Sequence, residues 1–320
     1  MKSKVLVVGC GNIGALYDFK KEGIKTHVKA FYQNKNFLIS VFDQNAELAK
    51  EIADHYKIEA LQGLNNEALT QFKVVVISTP TSGHYELLKK CLQLNIPVIV
   101  CEKPITDSLV KLEELEELKK NSTSKVLVNY FRRFHPSYHQ LRQFVKDINE
   151  ELTNIQITYQ RGFLNNATHA LDMLNFLFGG SLLQDIKIGN YAFDEFKNDP
   201  TASLTAKFRS VPVTIQGLQF VKHSFFEIRL WFQTKFISIE NSGQSIRIYS
   251  RASEENFGFY LPLINISSPF DKVNAIEDAM KYLVDNVTRY LEDPRLEDNF
   301  ETSFLLNQQS LKIIEDICRN

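Results

Sequence analysis

The sequence predicts two domains of different class: an N-terminal doubly wound parallel α/β sheet over residues 1–130, and over residues 131–320 an α+β domain with a large, mostly antiparallel open sheet and helices on one of its faces. Length is the first reason, because 320 residues exceed what one hydrophobic core usually serves. Up to about residue 130 the apolar residues come in short unbroken runs separated by helix-period segments, as strands buried on both faces require. Beyond that point polar and apolar residues alternate, as in strands with one wet face.

The first run, Lys4-Val5-Leu6-Val7-Val8, ends in Gly9, and further runs follow at 37–42, 74–78, 96–100 and 125–129. Helical patterns cover 46–56 and 85–94. Residues 108–120 place Leu109, Leu112, Leu115 and Leu118 three apart, with Asp107 as the expected N-cap. Residues 17–26 are too polar and too broken by glycine for a clean helix and read as an inserted loop. In the second domain the alternating segments are 154–161, 203–208, 211–219, 227–232 and 245–249. Short turns such as Arg209-Ser210 and Asn241-Ser242-Gly243 make them a largely antiparallel meander. Two helical stretches, 272–291 and 302–317, close the chain.

Composition narrows the partners. With 37 Lys+Arg against 38 Asp+Glu the net charge is −1, and no stripe concentrates basic residues, so no nucleic acid is expected. No segment approaches eighteen consecutive apolar residues, and the N-terminus runs from Met1-Lys2-Ser3-Lys4 directly into a strand, so a cytoplasmic protein with no membrane partner is expected. The cysteines Cys10, Cys91, Cys101 and Cys318 lack CxxC or Cys/His spacing, which predicts free thiols and no metal site.

Gly9-Cys10-Gly11-Asn12-Ile13-Gly14 fits G-x-G-x-x-G directly after the first strand, the context that gives the pattern its meaning as a dinucleotide loop. The glycines let the backbone approach a pyrophosphate, which the N–H groups around Asn12 and Ile13 meet at a helix N-terminus. Asp43 closes the second strand, where a carboxylate binds ribose hydroxyls and repels a 2′-phosphate. Gln44-Asn45 follow it, where an NADP site would place a cation; NAD is expected over NADP.

Ser78-Thr79-Pro80-Thr81-Ser82-Gly83-His84-Tyr85 follows the third strand and Cys101-Glu102-Lys103-Pro104 the fourth, both at the carboxyl ends where such sheets bind ligands. Asn129-Tyr130-Phe131-Arg132-Arg133-Phe134-His135-Pro136 leads out of the domain. Asn165-Asn166-Ala167-Thr168-His169-Ala170-Leu171-Asp172 comes later, before Leu177-Phe178-Gly179. In this order the motifs resemble the Gfo/Idh/MocA family of NAD(P)-dependent sugar and cyclitol oxidoreductases, over roughly residues 5–180. The resemblance implies an NAD-binding Rossmann domain, a substrate-binding second domain whose open sheet assembles a dimer or tetramer, and hydride exchange with a secondary alcohol or ketone carbon of a sugar. It implies that Lys103 faces the reacting hydroxyl, across a cis Lys103–Pro104 bond. An amine beside cationic nicotinamide and partly desolvated has its pKa pushed down, which suits Lys103 to take the hydroxyl proton.

His169 matches the family histidine that serves as acid/base or substrate hydrogen-bond partner. Many members carry an aspartate four residues earlier; here Asn165 stands there, and an amide takes no proton, so the burden falls on Lys103 and His169. The Asn form also resembles relatives acting on nucleotide sugars, while a non-catalytic NAD-binding sensor on the same fold is the alternative reading. Thr79, Pro80, His84 and Glu102 are further coenzyme candidates, with His84 shaping the nicotinamide pocket or packing on its helix. Tyr130 and Arg132 at the domain exit suit an anionic substrate. Arg161 either reaches the substrate or forms a cross-strand ion pair, and Asp172 either orients a hydroxyl or caps. His27, His55, His135, His139 and His223 carry no functional pattern.

Overall fold

The computed structural model describes residues 2–253, 261–266, 270, 273, 276, 278–295 and 303–319. The chain divides into two compact units, Met1–His135 with Ile276–Gln308, and Pro136–Ala275 with Gln309–Asn320.

In the first unit the chain runs β1 (Ser3–Val8), α1 (His27–Gln33), β2 (Phe37–Phe42), α2 (Ala46–Tyr56), β3 (Glu59–Ala60), α3 (Asn66–Leu69), β4 (Val74–Ile77), α4 (Thr81–Gln93), β5 (Val98–Cys101), α5 (Leu109–Lys120) and β6 (Lys125–Val128). Its six strands lie in the order β3-β2-β1-β4-β5-β6, with every pair parallel. Val5, Leu6 and Val7 of β1 and all four residues of β4 are fully buried, as strands covered on both faces must be. Helix α5 is capped by Ser108, whose side chain accepts from Lys111 N, and not by the expected Asp107. Ser108 holds the extended backbone that an N-cap needs, one residue before the helix. The inserted loop is stitched by buried Asp18, which accepts from Lys25 N (2.5 Å), Thr26 N (3.0 Å) and Thr26 Oγ1 (2.7 Å). Thr26 then N-caps α1.

The sequence division at residue 130 leaves out a late return of the chain. In α8 (Ala279–Glu292) the apolar stripe Met280, Leu283, Val284, Val287 and Tyr290 packs into the same core as Val28 and Phe31 of α1. The helix expected at 272–291 therefore appears as α8, and that expected at 302–317 as α9 (Ser303–Arg319); Lys272 and Thr302 lie outside the described residues.

The second unit contains α6 (Pro136–Asp147), β7 (Leu152–Tyr159), α7 (Thr168–Phe178), β8 (Leu183–Phe196), β9 (Asp199–Phe208), β10 (Val211–Gly217), β11 (Phe226–Phe232), β12 (Lys235–Glu240), β13 (Ser245–Arg251) and β14 (Leu263–Ile266). Its eight strands lie in the order β14-β13-β12-β11-β7-β10-β9-β8. Hairpins account for both wings, but the expected meander is interrupted at the centre, where β7 pairs parallel with β10 and antiparallel with β11. Strands β8, β12 and β14 escaped the sequence reading. The first is an edge strand of 14 residues with three register shifts, so solvent and bulges blur its alternation. Along β11 buried Phe226, Ile228, Leu230 and Phe232 alternate with half-buried residues, the two-faced pattern expected. No helix among the described residues is long and apolar enough to cross a membrane.

Candidate active site

The parallel sheet of the first unit sends all its carboxyl ends to one edge. Gly9 follows β1, Asp43 follows β2, Thr79 comes two residues beyond β4, Glu102-Lys103 follow β5 and Asn129-Tyr130 follow β6. Strand order reverses between β1 and β4, the switch point at which open α/β sheets bind ligands.

Two glycines of the first loop are demanded by the protein itself. Gly9 has φ +100°, and a Cβ there would lie 2.6 Å from the Ser78 carbonyl; a Cβ on Gly14 would lie 2.0 Å from the Gly9 oxygen. Gly11 is different. Its φ of −66° suits any residue, and a Cβ there would meet nothing within 4 Å. The protein gives no reason for a glycine at this position, whereas a group resting on the backbone does. Asp43 faces the same loop: Oδ2 accepts from Cys10 N at 2.6 Å and Oδ1 from Asn45 N at 2.8 Å. Thr79 Oγ1 is buried without a hydrogen-bond partner at the end of β4. An open glycine cradle, a carboxylate beside it and an unsatisfied hydroxyl fit a dinucleotide. Ile13 packs its side chain on the core and offers the site only its backbone. The Cys10 thiol is pushed up to about 12 by burial and by the Asp43 charge, which leaves it inert.

Glu102 and Lys103 leave β5 under tight constraint. The Glu102 N–H donates to Ile77 O at 2.9 Å. Its buried carboxylate accepts through Oε1 from Asn129 Nδ2 at 2.6 Å and lies 2.7 Å from His27 Nε2. Burial pushes this carboxyl up, but the His27 bond and charge, the Asn129 bond and the Lys103 charge together hold it below the usual range. The Lys103–Pro104 bond is cis. Just beyond, Asn307 Oδ1 accepts from Ile105 N (2.7 Å) and Thr106 N (3.4 Å). His84 is buried with Nε2 2.8 Å from Thr79 O and Nδ1 2.8 Å from Pro104 O. It ties two strand-end loops together, and both ring nitrogens face protein oxygens, so it packs and positions and presents no ring nitrogen to a coenzyme. Glu102 likewise supports the Lys103 backbone, with Oε1 engaged twice inside the protein. Tyr130 and Arg132 are buried, the Arg132 guanidinium lying 4.6 Å from the Phe131 ring centroid.

The remaining candidates belong to the second unit. Arg161 takes the ordinary course, an exposed ion pair with Glu195 at 2.9 Å. Its φ of +67° and that of Gly162, +81°, turn the chain sharply off β7. Asp199 receives that turn, accepting from Leu164 N at 2.7 Å and Asn165 N at 2.8 Å. The Asn165 side chain donates to Arg161 O at 3.1 Å, so it braces the same turn. His169 is buried on the first turn of α7, edge-on to Phe226 at 6.5 Å between centroids. Asp172 is buried in mid-helix, which removes the capping alternative. Lys103, Tyr130 and Arg132 thus belong to the unit that carries the glycine loop, and Arg161, Asn165, His169 and Asp172 to the other. The sequence reading missed His27, Asn129 and Asp199 as supports. Asn129 carried a signal, standing at a strand end; the other two carried none.

These features fit a dinucleotide-binding domain, and the comparisons agree. Residues 3–130 match the Gfo/Idh/MocA family model, an oxidoreductase family with an NAD-binding Rossmann fold. The match spans residues 3–130 of the 320, so over its nucleotide-binding part the chain is similar to that family. It is 23% identical over 254 residues, 77% of each chain, to the UDP-N-acetylglucosamine 3-dehydrogenase of Acidithiobacillus ferrooxidans. The solved structure of that enzyme superposes with a TM-score of 0.74 at 17% identity, covering 99% of this chain and 96% of the other. An inositol 2-dehydrogenase of Rhizobium meliloti is 29% identical over 142 residues, 44% of this chain and 40% of its own.

Proposed function

We propose that the chain is an NAD-dependent dehydrogenase or reductase acting on a secondary alcohol or ketone carbon of a sugar, with nucleotide sugars the favoured class. The observation that carries the reading is the convergence of Gly11, Asp43, Thr79 and Lys103 on one sheet edge at its switch point. Gly9, Gly11, Gly14 and the N–H groups around Asn12 would hold the pyrophosphate, Asp43 the adenosine ribose, and Thr79 and Pro80 the nicotinamide end. Bound there, the nicotinamide supplies the hydride acceptor. Lys103 takes the hydroxyl proton as the alcohol carbon loses hydride. His169 is a second proton-handling candidate, on its sequence motif alone. The second unit binds the substrate, with Asn165 and Asp172 as its polar candidates. The names of the relatives support a sugar or cyclitol, and the Acidithiobacillus enzyme supports a nucleotide-linked one. The test is the absorbance of reduced nicotinamide when purified protein meets NAD and UDP-N-acetylglucosamine or myo-inositol. A chain that binds NADH yet turns over neither these nor a wider sugar panel is a sensor, not an enzyme.

The coenzyme choice rests on Asp43. Replacing it with alanine should weaken NAD by on the order of 10–100-fold, the worth of a hydrogen bond to a charged group, and narrow the preference over NADP. Titration of coenzyme fluorescence reads both; a wild-type chain that favours NADP would overturn the assignment.

A half-buried aromatic row supports assembly through the open sheet. Trp231, Phe236 and Tyr249 form a ladder across three strands, with ring centroids 5.1 and 5.5 Å apart, on the face opposite buried Leu230, Ile237 and Ile248. Such a row invites a second copy. Trp231→Glu should convert an oligomer to monomers in sedimentation velocity with the thermal midpoint of the fold retained; a monomeric wild type would refute it.

A further inference from the structure

We propose that His27, which lies in no motif, is a positioning residue for Lys103, acting through the carboxylate of Glu102. This rests on the reading of Lys103 as the proton-transfer group.

The path is short and built from buried groups. Thr26, held by Asp18, fixes where α1 begins. His27 is the first residue of that helix and has no solvent exposure. Its Nε2 lies 2.7 Å from Glu102 Oε1. A ring nitrogen facing a carboxylate oxygen at that distance must carry the hydrogen. Nδ1 is buried with no hydrogen-bond partner, and a bare ring nitrogen is the cheaper group to leave unmet than a buried N–H. The arrangement therefore selects the Nε2–H tautomer. The groups around Glu102 include His27 from α1, Asn129 from the end of β6, its chain neighbours Cys101 and Lys103, and, 3.3 Å from Asn129 Nδ2, Met280 Sδ of α8. His27 and Asn129 both donate to Oε1.

The location gives this bond its consequence. Glu102 makes the last backbone bond of β5 to β4, to Ile77 O, and Lys103 is the next residue. How firmly Glu102 is held therefore bears directly on where Lys103 stands. With the His27 donor gone, a buried carboxylate loses its partner from α1 and swings or is drawn closer to Lys103. A shift of about 1 Å at a reacting group costs on the order of 10²-fold in rate.

The experiment compares His27→Leu, which fills the space without a donor, with His27→Gln, whose amide N–H reaches the position of Nε2. With UDP-N-acetylglucosamine or myo-inositol as probe, His27→Leu should lower kcat by on the order of 10–100-fold with NADH affinity unchanged, and His27→Gln should recover most of the loss. Equal loss in both variants means that the imidazole serves packing alone, and an unchanged kcat in His27→Leu removes the role; either result overturns the proposal. Long-range nitrogen–proton NMR of the wild-type chain needs no substrate and covers the case in which the leucine variant does not fold. It should find the His27 hydrogen on Nε2, shifted when Glu102→Gln is introduced; a hydrogen on Nδ1, or no response to Glu102→Gln, overturns the proposal. If Lys103→Ala keeps full turnover, the reading of Lys103 fails by itself, while the His27–Glu102 bond is still scored by NMR.

Discussion

Lys103→Ala should lower kcat by about 10²–10⁴-fold, the range for removing a general acid/base, and leave NADH affinity where it was. The two halves of that result come from different parts of the site. The coenzyme's pyrophosphate and adenosine ribose are assigned to Gly11 and Asp43, at the ends of β1 and β2. Lys103 stands on the other side of the switch point, after β5. Its backbone is fixed from both directions, by the Glu102 bond to Ile77 and by Asn307 on residues 105 and 106. The alanine variant therefore loses an amine and keeps the loop. Lys103→Arg sharpens the result, because a guanidinium retains the charge but does not release its proton at working pH. Stopped-flow measurement of hydride transfer should find both variants slow. An alanine variant with near-normal transfer would take the proton role away from Lys103.

Chemistry that lies within a few residues of a strand end was legible in the sequence. The glycine loop, Asp43, the Thr79 element and Glu102-Lys103-Pro104 are local patterns, and each sits where the parallel sheet places it. The histidine-bearing helix was legible for the same reason. Supports that act across the chain were not. His27 meets Glu102 over a separation of 75 residues, and Asp199 meets Leu164 over 35; at either position the residue type is commonplace and only the fold supplies the partner. Long-range closure hid the role of α8 in the same way. Its stripe is visible as helical periodicity, but nothing local says that it joins a core begun at residue 5. At Asn165 the sequence raised a chemical question and the structure gave a mechanical reply: the side chain braces the turn that Asp199 caps.

Gly11 and Gly14 should answer the same substitution with opposite signs. At Gly14 a Cβ falls 2.0 Å from a backbone oxygen, so Gly14→Ala forces the loop off Gly9 and should cost about 1–3 kcal/mol or more, as overpacking does. The site is lost there together with stability. At Gly11 the backbone is already in a region open to alanine and the added methyl meets no protein atom. Gly11→Ala should then stabilise the apo chain by about 0.4–1 kcal/mol, since it restricts the unfolded state and strains nothing. The same methyl occupies the space over the N–H groups that a pyrophosphate needs. NAD affinity should fall on the order of 10–100-fold, the value of one charge-assisted hydrogen bond, and Gly11→Val should lower it further. Thermal melts with and without NADH separate the effects, because a ligand raises the melting temperature only in proportion to its binding. A Gly11→Ala chain that gains stability yet binds NADH as tightly as wild type would move the pyrophosphate away from this loop, and the coenzyme assignment with it.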